Sequence, residues 1–503
     1  MGGSGEFAYN WGVDISDSTA DAVTVPSRIR RFGLPVGWEV LLAFLVSLAA
    51  SAVNDKLCLA VLAMATCGLV WRHRGSPSSA LGIVFTTNCE APLLRRVHDL
   101  YHGFSPGSPI LVASYIAFPV LALIVSRELP RFRKGEFVSV ILAGIGLLWA
   151  YCVGILGIGI VPATIQMLQY SAGPIAFAYV VANSGKFDLK LFCRWLAVLG
   201  LIEGAYGLFQ WIQPPSWDLV WFHGVKEQLA GGQPLPFQMR TWGTLNIVSP
   251  FAYFLAFILT VILDTPKFLL VTPVMIAALA TTQARAAWGT LVVGWCLALV
   301  LARFRDKGKV LLAIASTLAI VSVLALPFSS RLEGLAKRLQ TVDNLQQDNS
   351  FQDRGGLLAA AVQGGVFDDP VGVGMGASGS AARLTGSGIS GIDNGFLQTA
   401  YIFGWVGTFF FIGGFFWGLG RSLSAVGRMT RLEVQFLAAL IGLFGANIFE
   451  SSFDDMKGVL LWVSLGIVST NSLRRSPGMA GDGTSAEEPS EVVVMAADAE
   501  SVP

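Results

Sequence analysis

Charge is scarce in this 503-residue chain: Asp, Glu, Lys and Arg together make up 13% of it, while 53% is hydrophobic. Soluble domains carry roughly a quarter charged residues. With a mean hydropathy of +0.62, a water-soluble globular fold is excluded and a membrane protein is expected. Histidine is nearly absent too, with only His73, His98, His102 and His223. The cysteines show no metal-ligand spacing, and Cys58, Cys67, Cys152 and Cys296 sit inside apolar runs, where they are expected as small buried hydrophobes. The loops expected outside the membrane hold no cluster of His, Cys or carboxylates with ligand spacing, so neither a metal nor a cofactor is expected. No cleavable signal peptide is expected, since the first apolar run starts near Val36, behind a polar arm. The opening "MGGSGEF" is read as a cloning scar and set aside.

What is there is a succession of apolar runs, near 36–53, 56–72, 110–127, 137–157, 163–183, 194–211, 247–263, 267–284, 286–302, 310–327, 396–419, 432–449 and 457–473. Crossing a hydrocarbon core takes roughly twenty helical residues, and the shorter runs pair as hairpins. Between them lie basic clusters: "RIRR" at 28–31, "RHR" at 72–74, "RFRK" at 131–134, "RFRDKGK" at 303–309 and "RR" at 474–475. Basic residues mark cytoplasmic ends. With "RR" inside, 328–395 falls outside, "RFRDKGK" inside, 212–246 outside and 184–194 inside. The alternation fails only over 75–109, where one more crossing is needed, and the weak apolar run 80–87 is expected to supply it as a short or re-entrant helix. The expectation is an all-α polytopic membrane protein of about fourteen crossings, with twelve to fourteen as the range.

Its organisation then reads as a cytoplasmic arm (1–35), a first set of transmembrane helices (36–211) and an external loop (212–246). Central helices (247–327), a large external loop (328–395), last helices (396–473) and a disordered acidic tail (474–503) follow. In the large loop, "RLEGLAKRL" and "RGGLLAAAVQGGVF" have helical apolar spacing and are expected to lie over the membrane face. "DDPVGVGMGASG" (368–379), with Gly372, Gly374 and Gly376 at alternate positions, looks at first like a phosphate-binding glycine loop. A dinucleotide site needs a strand before the glycines and a helix opening within them. Neither is present here.

Positive charge outside runs against the usual bias, so the external Arg240, Arg285, Arg331, Arg338, Arg354 and Arg383 each need a reason. Arg240 and Arg285 stand at external helix starts with Trp242 and Trp288 nearby. Two readings are open: snorkelling anchors at helix ends, or a phosphate clamp, since a guanidinium offers a planar fork matched to phosphate oxygens.

The order "RTWGTLNIVSPFAYFLAF", "TTQARAAWGTLVVG", "DRGGLLAAAVQGGVFDDPVGVGMGA" and "DNGFLQTAYIFGWVG", preceded by "GLIEGAYGLFQWI", resembles the bacterial O-antigen ligase and polysaccharide polymerase family over about residues 140–470. The resemblance implies a GT-C-like, metal-independent glycosyltransferase of the bacterial inner membrane, acting on undecaprenyl-diphosphate-linked oligosaccharides at the periplasmic face. Under it, Arg354, Arg240 and Arg285 fall on the family's arginine positions, and with Arg383 they would bind the diphosphate and stabilise the departing charge. Gly372, Gly374 and Gly376, with Asn394, would shape the loop and let backbone approach substrate. Ligases of the family carry a histidine before that asparagine; here Asp393 stands in its place, which leaves the polymerase reading intact. Asp393 reads two ways, as general base toward a sugar hydroxyl or as N-cap of the helix from Gly395, with Glu450, Asp454 and Asp455 as other carboxylates.

The function expected is therefore a polymerase that joins lipid-linked repeat units of exopolysaccharide, capsule or O-antigen with inversion. A ligase delivering glycan to lipid A-core is the rival within the class, and a secondary transporter or lipid flippase the rival outside it. Transporters place ionisable groups and broken helices at mid-membrane, often in repeated halves; the apolar runs here are nearly free of central charge. Expected partners are the donor and acceptor lipids, the bilayer, and flippase and chain-length regulator proteins, with no nucleic acid.

Overall fold

The computed structural model describes residues 36–128, 134–225, 231–263, 265, 270–302, 304–325, 356, 359, 363, 368–379, 381–382, 392, 394–450 and 453–474. Its helices are α1 (Val36–Ser51), α2 (Asp55–Arg72), α3 (Pro77–His102), α4 (Ala113–Glu128), α5 (Lys134–Gly157), α6 (Ile160–Ala182), α7 (Leu189–Ile212) and α8 (Ser216–Gly224). They continue with α9 (Val248–Val261), α10 (Thr272–Thr282), α11 (Arg285–Leu301), α12 (Phe304–Ala325), α13 (Gly395–Leu423), α14 (Arg431–Gly445) and α15 (Asp455–Arg474). No strand occurs among the described residues; one isolated bridge joins Gly232 and Met239. Four helices are long and apolar enough to cross a membrane by length and composition: Phe137–Gly157, Leu189–Ile212, Gly395–Leu423 and Arg431–Ile448. Shorter apolar helices stand beside them, among them Val36–Ser51 and Val248–Val261. The protein is an all-α membrane protein.

Helix starts follow from the sequence. Asn54 caps α2 by accepting from the amides of Lys56 and Leu57, Asp188 caps α7 through Leu191, and Thr430 and Glu433 form a capping box on α14. Each satisfies donors that have no partner within the helix. The interior is built on aromatic contacts, with Trp462 of α15 edge-on to Phe177, Phe411 and Phe415. Where α5 crosses α13, small residues let the backbones meet: a Cβ on Gly146 would come within 2.6 Å of the Gly407 carbonyl.

Two elements depart from the sequence expectation. In place of a short helix over 80–87, α3 is one 26-residue helix, Pro77–His102, opened by proline in its first turn. At 1.5 Å per residue that is roughly 39 Å. Hydropathy misses it because its second half carries Glu90, Arg95, Arg96, His98 and Asp99, which are held inside the fold against α7, α8 and neighbouring helices. The second departure is α13, which is interrupted at Gly404 (φ 62°, ψ 175°). The chain at 369–374 fills the break: Val373 and Gly374 donate to the carbonyls of Tyr401 and Ile402, and the amides of Trp405 and Val406 donate to Asp369 and Pro370. Broken helices persist in an apolar setting when another segment satisfies the freed groups.

Candidate functional site

The segment after α8 returns along the bundle end and reaches the turn between α10 and α11. There Thr241 bonds Thr281 through both hydroxyls (2.6 Å), and the Arg240 Nε donates to the Thr282 carbonyl at 2.8 Å. Gln283 takes a left-handed conformation (φ 53°) that ends α10, and Arg285 opens α11. The structure thus brings Arg240 to the turn that carries Arg285, though they are 45 positions apart in sequence (285 − 240). Both are half-buried. An arginine in the first turn adds its charge to the positive end of the helix dipole, a setting that favours an anion.

Beneath this turn lies a polar network that the sequence reading did not anticipate. Arg96 of α3 pairs with Asp218 of α8 at 2.6 Å, with both side chains fully buried. The second Asp218 oxygen accepts from Gln210 (2.7 Å) and from the Tyr206 hydroxyl (3.0 Å). Burial pushes the Asp218 carboxyl above its ordinary value, while the Arg96 charge and these hydrogen bonds pull it back. Glu203 of α7 accepts from the Thr244 amide at 2.9 Å and from its hydroxyl. Beside them Arg95 stacks 4.4 Å from the Trp221 ring. The signal was present in "LLRRVHDL": adjacent arginines with an aspartate one turn on, a pattern unsuited to lipid.

The glycine run lies on other backbone. Gly372, Gly374 and Gly376 all have positive φ (77°, 91° and 99°). A Cβ on Gly372 would meet the Gly404 amide, one on Gly374 the backbone of Gly154, and one on Gly376 the backbone of α6 at Ala163. The Met375 amide bonds the Ala150 carbonyl (2.9 Å), and Gln166 holds Ser378. The close approach made by these glycines is to α5, α6 and α13. Asn394 caps α13, accepting from Phe396 and Leu397 at 3.0 Å each and donating to the Ile448 carbonyl at 3.0 Å. The cap of α13 is therefore Asn394, which corrects the reading that gave this role to Asp393. Arg354, Arg383 and Asp393, with Arg331 and Arg338 and the segments 331–339 and all but three positions of 354–367, lie outside the described residues.

A second charged group gathers at the start of α15. Gln398 of α13 donates to Asp454 at 3.1 Å and to the Tyr170 hydroxyl at 3.3 Å. Asp455 accepts from the Lys457 amide at 2.8 Å. The Lys457 ammonium stands 3.8 Å from Glu450 and 5.7 Å from the centre of the Tyr253 ring, almost wholly buried. Burial raises the Asp455 carboxyl to about 7; Lys457 opposes the shift and Asp454 adds to it. A carboxyl in that range can take a proton from a hydroxyl near neutral pH. Lys457 escaped the sequence reading because it heads the apolar run 457–473, although a lysine at a helix start expected to lie outside breaks the charge rule as the arginines do. Among the described residues no group of three or more His, Cys, Asp or Glu could hold a metal ion.

Against known proteins, residues 270–412 match the family model described as O-antigen ligase. The matched stretch begins just before α10, contains Arg285 and the glycine run, and ends inside α13. No curated protein matches the chain. The likeness to that family thus rests on this stretch, which is less than a third of the chain.

Proposed function

We propose that the protein is a polysaccharide polymerase joining undecaprenyl-diphosphate-linked oligosaccharide units at the periplasmic face of the bacterial inner membrane. A sugar hydroxyl of one lipid-linked unit attacks the anomeric carbon of a growing chain. The new C–O bond forms as the bond to the diphosphate oxygen breaks, and undecaprenyl diphosphate departs with the electron pair. A single displacement inverts that carbon. Arg240, Arg285, Arg354 and Arg383 hold the diphosphate and offset the charge that develops on it, without a metal ion. Asp393 accepts the hydroxyl proton. The helices α1 to α7 and α9 to α15 form fourteen crossings of alternating direction, α3 supplying the one that the charge pattern lacked, in a GT-C-like arrangement. Flippase and chain-length regulator proteins would work beside it.

The observation that carries this reading is the meeting of Arg240 with the turn that carries Arg285, a turn that lies inside the region matching the O-antigen ligase family, with Arg240 reaching it from outside that region. The family's description also favours a second reading, a ligase transferring the glycan to lipid A-core. One experiment separates them. Purified protein in detergent is given a lipid-diphosphate-linked oligosaccharide, with and without lipid A-core and with and without chelator. A ladder of lengths from the oligosaccharide alone, indifferent to chelator, is expected. A single product that forms only with lipid A-core makes the protein a ligase. Activity lost to chelator and restored by magnesium would overturn the arginine clamp.

A further inference from the structure

Residues 242–244 form no helix or strand, yet four of their backbone groups are gripped by side chains from distant helices. The Trp242 amide donates to Gln210 at 2.9 Å, and the Thr244 amide to Glu203 at 2.9 Å. One Arg96 nitrogen donates to the carbonyls of Gly243 (3.0 Å) and Thr244 (2.6 Å). Gly243 sits at φ 61°, where a Cβ would run into Glu203 and Phe251. Arg96 is itself held by Asp218, whose other oxygen is taken up by Gln210 and Tyr206. The grip begins two residues after Arg240.

A fully buried ion pair is a poor source of stability, since well-packed apolar residues of similar volume often serve as well. What such residues lack is direction. Arg96 uses a rigid fork to join one carboxylate to two carbonyls, and so fixes a turn that has no ladder of its own. We propose that Arg96 and Asp218, assisted by Glu203 and Gln210, are positioning residues: they lock the turn after Arg240 so that its guanidinium is delivered to the α10–α11 turn. The proposal rests on the reading of Arg240 as a diphosphate ligand.

The test is a double-mutant cycle with the lipid-diphosphate-linked oligosaccharide as substrate, measured beside thermal unfolding of each variant. Arg240→Ala should lower kcat/KM by roughly 100-fold. Asp218→Asn, which keeps shape and loses charge, should lower it by about 10-fold or more. In the double variant, kcat/KM should stay within about two-fold of Arg240→Ala alone, because a residue acting through Arg240 has nothing left to act on. If the two losses multiply instead, or if Asp218→Asn turns over like wild type, the positioning role is overturned while the clamp stands. If Arg240→Ala is itself fully active, the clamp reading fails and this proposal with it. Should Asp218→Asn not accumulate in the membrane, Glu203→Gln leaves the ion pair intact and loosens only the hold on Thr244, and the same cycle is read with it.

Discussion

Asp and Asn cap helices about equally well, so at the adjacent Asp393 and Asn394 only geometry decides which one starts the helix. With Asn394 donating to Ile448 and accepting the first free amides of α13, the replacement Asp393→Asn leaves the cap in place. It therefore tests proton transfer alone. Polymerisation by Asp393→Asn should fall by about two decades or more, with unfolding temperature unchanged; wild-type rates would pass the base role to another carboxylate. Asp455 is the candidate in that case, and its own burial gives a separate pH signature. Its folded pKa, about 7, lies above the ordinary carboxylate value, so the fold binds a proton that the unfolded chain releases. The sign follows: this contribution to stability is fully present below the ordinary carboxylate value and is lost as pH rises through about 7. The unfolding temperature in detergent should decline from pH 5 to pH 8, and Asp455→Asn should flatten that decline, with Glu450, Asp454 and Lys457 left in place around it. Equal slopes for the two proteins would remove Asp455 as the cause.

Among the elements, those written in simple hydropathy were legible and those that carry the site were not. The apolar runs at 137–157 and 432–449 reappear with small shifts as α5 and α14, because lipid-facing helices must be apolar along most of their length. The helix α3 was hidden, since a helix enclosed by other helices can carry arginine and aspartate that a lipid-facing one cannot. The break in α13 was hidden as well: "YIFGWVG" reads as continuous helix until the 369–374 segment is seen to occupy its open hydrogen bonds. The glycines were noticed for the right property, conformational freedom, while their nearest neighbours could not be inferred from spacing. This yields a prediction for the element as a whole. Gly374→Ala places a Cβ at φ 91° against the backbone of Gly154. Strain in that region costs roughly 1–3 kcal/mol before any clash is counted, so the unfolding temperature should drop by several degrees. Gly379→Ala, at φ 66° with open space around it, should lose less. Equal losses would mean that the contact with α5 contributes nothing.

For the whole molecule, placement of charge carries more than amount of charge. A net charge of +1 says nothing about orientation, but the partners met at each end of the helices differ. At one end Glu39 meets Arg72 and His73, and Arg431 meets Asp306. At the other, His98 and His102 meet the carbonyls of Ser51 and Ala52, and the Arg240, Asn394 and Lys457 contacts gather. On the proposed orientation, which follows the positive-inside rule, the first end faces the cytoplasm, and a diphosphate carried on a lipid of the outer leaflet would reach only the second. The orientation is therefore a premise of the chemistry, and it can be tested apart from catalysis. In a background with the native cysteines replaced by serine, Gln233→Cys, in the first external loop, should react with an impermeant maleimide added to intact spheroplasts. Lys186→Cys, between α6 and α7, should react only after the membrane is opened. Both side chains are exposed in the fold, so a difference in labelling reports the compartment and not burial. The reverse pattern would place Arg240 and Arg285 on the side where lipid-linked units are assembled rather than joined, and the polymerase proposal would fail without any activity having been measured.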